Sequence, residues 1–129
     1  MNLPFRRKPV KVTKSQQKRL VSRANRRTKF LPKLWRAKAF HFEVNKLTKR
    51  KKARLVLTQI GVVGFSKRRK VLKLVNAFVI QTRIIEDQYV GNVLERELYK
   101  QRAIFDEGIS NLLGKKTDKF LDLFFNAKI

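Results

Sequence analysis

Residues 1–70 of this 129-residue chain hold 24 Lys and Arg against a single acid, Glu43, while residues 71–129 hold nine Lys and Arg against eight acids. The net charge is +24, and almost all of it lies in the first half. Cations at that density repel one another and disfavour a compact state unless a polyanion neutralises them. Phosphate backbones are the commonest such polyanion, because each neutralised phosphate also releases condensed counterions. An anionic membrane surface and acidic proteins are the other partners that charge alone admits. Asymmetry on this scale assigns the first half to nucleic acid and leaves the second half another task.

Several classes are excluded or set aside. The chain has no cysteine, which removes structural disulfides and thiolate metal sites. Its one histidine, His41, cannot assemble a zinc cluster. No apolar run approaches the roughly 18 residues of a membrane span. The N-terminal residues lack the apolar core of a secretory signal, and no acid precedes Glu43. An RNA-binding arm and an organelle-targeting segment both fit that pattern. The arm is the preferred reading, since Pro4 and Pro9 would interrupt a targeting helix.

Local patterning predicts an α+β fold with a small β-hairpin core, a basic N-terminal arm and a mainly helical C-terminal extension. Residues 1–29 read as an extended basic arm with room for a short helix from Lys14 to Arg23. Phe40, Phe42 and Val44 alternate with His41 and Glu43, which is strand periodicity. Lys49-Arg50-Lys51-Lys52 reads as a hairpin tip, residues 53–60 as a second strand, and Gly61 and Gly64 as a turn or bulge. Val71, Leu74, Val75, Phe78 and Val79 are spaced as on a helix, with strand as an alternative around Ile80, Ile84 and Ile85. A second helical pattern covers residues 92–106. Thr117 is placed to cap a last helix, Asp118 to about Ala127, whose wide apolar face must dock on this chain or a neighbour.

The stretch Asn25-Arg26-Arg27-Thr28-Lys29-Phe30-Leu31-Pro32-Lys33-Leu34 resembles a basic motif of the bacterial-type large-subunit ribosomal protein family twenty-eight. Phe40 and Phe42 stand where that family has an aromatic strand. Arg54-Leu55-Val56-Leu57-Thr58-Gln59-Ile60-Gly61 is similar to its second strand and glycine turn, and Ser66-Lys67-Arg68-Arg69 to its basic patch. The resemblance covers roughly residues 22–78. Lys33 and Ile60 depart from the family's Asn and Lys, and the cysteines of some members are missing. It implies three segments: a basic arm at 1–21, an rRNA-binding core at 22–78 and a helical extension at 79–129. It also implies large-subunit rRNA as partner, with neighbouring ribosomal proteins on the extension. The extension points to a mitochondrial form, located in the matrix, with plastid or bacterial cytoplasm as alternatives.

The residues expected to contact RNA are Arg6, Arg7, Arg23, Arg26, Arg27, Lys29, Lys33 and Arg36, with Lys38, Arg50, Lys51, Arg54, Lys67, Arg68 and Arg69. Trp35 joins them as a base-stacking residue, although burial in a small core is the favoured reading for it. Phe40 and Phe42 are assigned to the core. His41 has no nucleophile or carboxylate constellation around it, and the dispersed acids from Glu86 to Glu107 have no metal-loop spacing. Gly61 and Gly64 make no phosphate loop, because no Lys-Ser or Lys-Thr pair opens a helix after them. The expected function is a structural constituent of the large ribosomal subunit, with no enzymatic activity, no cofactor and no membrane span. A free DNA-compacting protein and a cationic membrane-active protein are the rivals.

Overall fold

The computed structural model describes residues 10–125. Among them the chain forms four long helices and a short one: α1 (Lys14–Thr28), α2 (Lys33–Gln59), α3 (Phe65–Gln88), α4 (Gly91–Leu113) and α5 (Thr117–Phe125). A single 3-10 turn, Gly114–Lys116, joins the last two. The described residues contain no strand, so the α+β expectation and its β-hairpin core are overturned.

The physical reason lies in α2, which occupies both expected strands and the basic tip between them. This helix is a central rod that packs against α1 on one side and against α3 and α5 on others. Leu47 joins Leu20 and Ala24 of α1, with Phe40 and Val44 against them. Ala53, Val56 and Leu57 face the main core instead. Phe40 and Phe42 are two positions apart, which a helix turns by about 200°, so they point to different neighbours. Phe40 joins the α1 cluster, while Phe42 lines a groove with Arg83 of α3. A helix buried on two sides shows no single 3.6-residue stripe, and its accidental alternation at residues 40–44 mimics a strand.

α1 contains the short helix expected from Lys14 to Arg23 and continues it to Thr28, so the extended arm is overturned from Lys14 onward. Thr13 opens α1 with a capping box: its hydroxyl accepts from the Gln16 amide at 3.2 Å, and the Gln16 side chain accepts from the Thr13 amide at 3.0 Å. Residues 1–9 of the expected arm lie outside the described residues. The segment boundary after residue 21 falls inside α1, and the one after residue 78 inside α3.

The main core gathers α2, α3, α4 and α5. Val71 and Val75 of α3 meet Phe105, Ile109 and Leu113 of α4 and Phe120, Leu123 and Phe124 of α5. Phe105 is the hub of an aromatic cluster, 4.6 Å from Phe78 and 5.7 Å from Phe125 between ring centroids. The helices expected from residues 70–86 and 92–106 are present as parts of α3 and α4. The last helix docks on α2 and α4, within this chain. Thr117 does not cap it as expected: its hydroxyl donates to the Gly114 carbonyl at 2.7 Å. The expected end at Ala127 lies outside the described residues.

The turn at Gly61 is real, but it ends a helix rather than a strand. The Val62 amide donates to the Leu57 carbonyl at 2.9 Å and the Gly61 amide to the Thr58 carbonyl at 3.2 Å. With Gly61 at φ +79 and Val62 buried beside Leu57, this is a Schellman cap with its hydrophobic contact.

Candidate nucleic-acid interface

α1 and α3 both run antiparallel to α2 and flank it, and α1 packs on α2 alone. The result is a trough with α1 and α3 as walls and α2 as floor. Arg54 lines the depression on the α1 side, beside Arg19, Arg23 and Arg26, and also the one on the α3 side, beside Arg69 and Lys73. Arg50 lies on the floor between Leu47 and Arg54. Two sequence stripes build the walls: Arg19, Arg23 and Arg26 on α1, and Arg69, Lys73 and Asn76 on α3, each at i, i+4 and i+7.

Arg50 is the unusual member. Its Nε is buried and finds no hydrogen-bond partner in the chain, and neither does Asn76 Oδ1 in the same depression. Burial lowers the Arg50 pKa, and the charges of Arg54, Arg27 and Arg23 lower it further against a small opposing effect of Glu43. Glu43 is already engaged. Arg27 Nη1 donates to it at 3.2 Å and Lys46 Nζ approaches it at 3.0 Å. Burial works to raise the Glu43 carboxyl, but the hydrogen bonds from Lys46 and Arg27 and their charges outweigh it and hold it below the usual carboxylate range. A partly buried guanidinium among cations, its Nε unpaired and its one acidic neighbour in use, is a site short of an anion.

The expected RNA-binding residues divide by what they already hold. Arg23, Arg26, Arg50, Lys51, Arg54 and Arg69 line the trough, and so does Arg68. Arg68, however, spends its guanidinium on the end of α2, donating to the carbonyls of Val62 at 2.8 Å and Arg54 at 3.2 Å and to Thr58 Oγ1 at 3.1 Å. Arg36 likewise donates to the carbonyls of Lys29 at 2.9 Å and Leu31 at 3.1 Å, closing the α1–α2 turn. Arg27 holds Glu43. Lys29, Lys33 and Lys38 are exposed around that turn, away from the trough, and Lys67 is exposed at the start of α3. Arg6 and Arg7 lie outside the described residues.

Trp35 is 69% exposed, so the small-core reading of it falls. Sequence reasoning missed Arg19, Lys73 and Asn76, although the helical spacing of both stripes was available once α1 and α3 were read as helices. It also missed Phe65, exposed at the mouth of the α3 depression. Among the described residues no group of His, Asp and Glu is arranged to hold a metal, and no helix is long and apolar enough to cross a membrane.

Compared with protein-family models, with curated proteins and with solved structures, the chain matches none.

Proposed function

We propose that the chain binds structured RNA through the α1–α2–α3 trough and serves as a structural constituent of a ribosome rather than as an enzyme. The observation that carries this reading is Arg50: a partly buried side chain whose Nε is buried without a hydrogen-bond partner, on the floor of a groove whose walls are cationic. Phosphate diesters supply what that site lacks, at regular spacing along a strand, and arginine offers them a bidentate fork.

Helix electrostatics supports the same reading. None of α1, α2, α3 and α4 has an acid in its first turn. α2 begins with Lys33 and Arg36, and α3 with Lys67 and Arg68. Cations at the positive end of a helix are unfavourable, and bound anions relieve the cost.

The second half has the composition for protein contacts. α4 and the turn before it expose Val90, Val93, Tyr99 and Ile104 on a nearly neutral surface, which suits neighbouring proteins in a particle better than phosphate. Placement in the large subunit of a mitochondrial ribosome is the finer form of the proposal. It rests on the sequence resemblance alone, since the residues that resemble two strands are helical here.

The test is affinity purification of the full chain followed by sequencing of the co-purifying nucleic acid. Ribosomal RNA, released by ribonuclease and retained after deoxyribonuclease, is the expected result. DNA that survives ribonuclease, or no nucleic acid, overturns it.

A further inference from the structure

Beyond the end of the α1 wall, the α1–α2 turn carries a cluster of apolar side chains in water. Phe30 is 83% exposed, Leu34 92% and Trp35 69%. Their exposure belongs to a fixed turn. The Leu31 amide donates to the Thr28 carbonyl at 3.1 Å, and the Trp35 and Arg36 amides both donate to the Pro32 carbonyl at 3.0 Å. The Arg36 guanidinium ties the carbonyls of Lys29 and Leu31 to the same turn. Three large apolar groups are therefore held outward by six residues' worth of backbone and side-chain bonding, at the cost of hydrating them.

Beside Trp35 a shallow groove of about 580 Å³ runs over Leu31, Leu34 and Phe42 to Arg83 of α3. The cluster is ringed by Lys29, Lys33, Arg36 and Lys38, with no acid between Lys14 and Phe42. Lys29 Nζ already sits 5.0 Å from the centre of the Phe30 ring. An occupant must be anionic and must also present flat apolar faces. A second copy of this chain fails, since apposing two such turns would bring eight cations together. An anionic membrane satisfies one plane of charge, but the cations of the trough lie on a different side of α2. Unpaired nucleotides satisfy both demands, because each joins a phosphate to a π-face.

Resting on the RNA-binding reading above, we propose that the Phe30–Trp35 turn is a stacking platform for unpaired nucleobases, so that the chain recognises a looped or bulged RNA while its trough holds a backbone. Trp35 receives the base, and Lys29, Lys33 and Lys38 hold the flanking phosphates. Aromatic stacking tolerates any base, so the platform selects unpaired structure rather than sequence.

Trp35 is the single tryptophan of the chain, so its fluorescence reports the platform directly. The full chain is titrated with a hairpin RNA bearing an unpaired loop, with the same hairpin carrying abasic loop nucleotides, with a blunt duplex and with phosphatidylserine vesicles. The looped RNA is expected to quench Trp35, and Trp35→Ala to weaken its binding by about 5- to 100-fold. Trp35→Phe is expected to keep most of the affinity. Duplex and abasic RNA are expected to bind through the trough with little quenching and little sensitivity to Trp35→Ala. Abasic RNA that quenches and binds as well as the looped RNA overturns the platform and leaves RNA binding standing. So does looped RNA that binds without change at Trp35. A Trp35-dependent spectral shift on vesicles alone assigns the turn to a membrane and also overturns it. No binding of any RNA overturns both readings.

Discussion

Arg68 and Arg69 are adjacent and chemically identical, yet their surroundings assign them different work. Arg68 donates to two carbonyls and a hydroxyl at the α2–α3 junction, whereas Arg69 lines the open trough. Arg68→Ala is expected to lower unfolding free energy by about 1–2 kcal/mol in urea titrations, because it strips charge-assisted bonds from helix-end carbonyls. Arg69→Ala is expected to leave stability unchanged and to weaken RNA binding. Glu43 makes a pH-dependent contribution. Its carboxyl is held below the usual range by Lys46 and Arg27 despite burial. A group with a depressed folded pKa contributes stability above its unfolded pKa and loses it as pH falls through the folded one. Glu43→Gln is therefore expected to cost about 0.5–1 kcal/mol at neutral pH. The difference from the parent chain closes as denaturation is repeated below about pH 4. The same ion pair warns against charge reversal at Arg27, which would set two carboxylates together and confound folding with binding. Arg23 and Arg26 are the cleaner choices on α1.

At the scale of elements, legibility followed how many sides each helix buries. α4 and α5 turn one apolar face to the core, and their residues are spaced accordingly in the sequence. α2 buries Leu47 against α1 and Ala53, Val56 and Leu57 against the rest, so its pattern is the overlay of two stripes. Its β-branched residues, Val44, Thr48, Val56 and Thr58, added a strand-like preference that tertiary packing overrode. The four cations at 49–52 read as a loop tip because a run of charge rarely sits mid-helix. Here Lys49, Arg50, Lys51 and Lys52 fan out around α2, all partly buried, and Lys52 lies over the Phe124 ring at 5.8 Å. Gly61 was legible as a turn, but its partners, and hence its type, required the helix. Gly61→Ala is expected to cost about 1 kcal/mol, since φ there is +79 and the Schellman bonds hold it, measured as a fall in the urea midpoint at constant slope. Of the site, the cationic half and several of its residues were visible in the sequence. The trough was not, because it exists only once α1 and α3 stand on either side of α2.

For the molecule as a whole, charge and folding pull against each other. The α2–α3–α4–α5 core supplies the apolar burial, while the cations gather on α1, the outward faces of α2 and the start of α3. Screening should therefore act with opposite signs on two observables. Raising salt is expected to increase the thermal midpoint of the free chain by relieving self-repulsion, and to weaken RNA binding by reducing counterion release. A midpoint that falls with salt would mean that ion pairs, not repulsion, dominate the free state. What separates a built site from mere cationic excess is the trough. The most direct measurement compares structured-RNA affinity across a salt series for the parent chain, for the Arg50→Gln/Arg54→Gln double variant and for Lys115→Gln/Lys119→Gln. The last pair removes equal charge from exposed positions away from the trough. The expected result is a marked loss of affinity for the trough variant, with its salt slope reduced by roughly one per lost phosphate contact, and near-parental binding for the control. Equal losses in the two variants would contradict a trough-bound backbone and leave only diffuse attraction between a polycation and a polyanion.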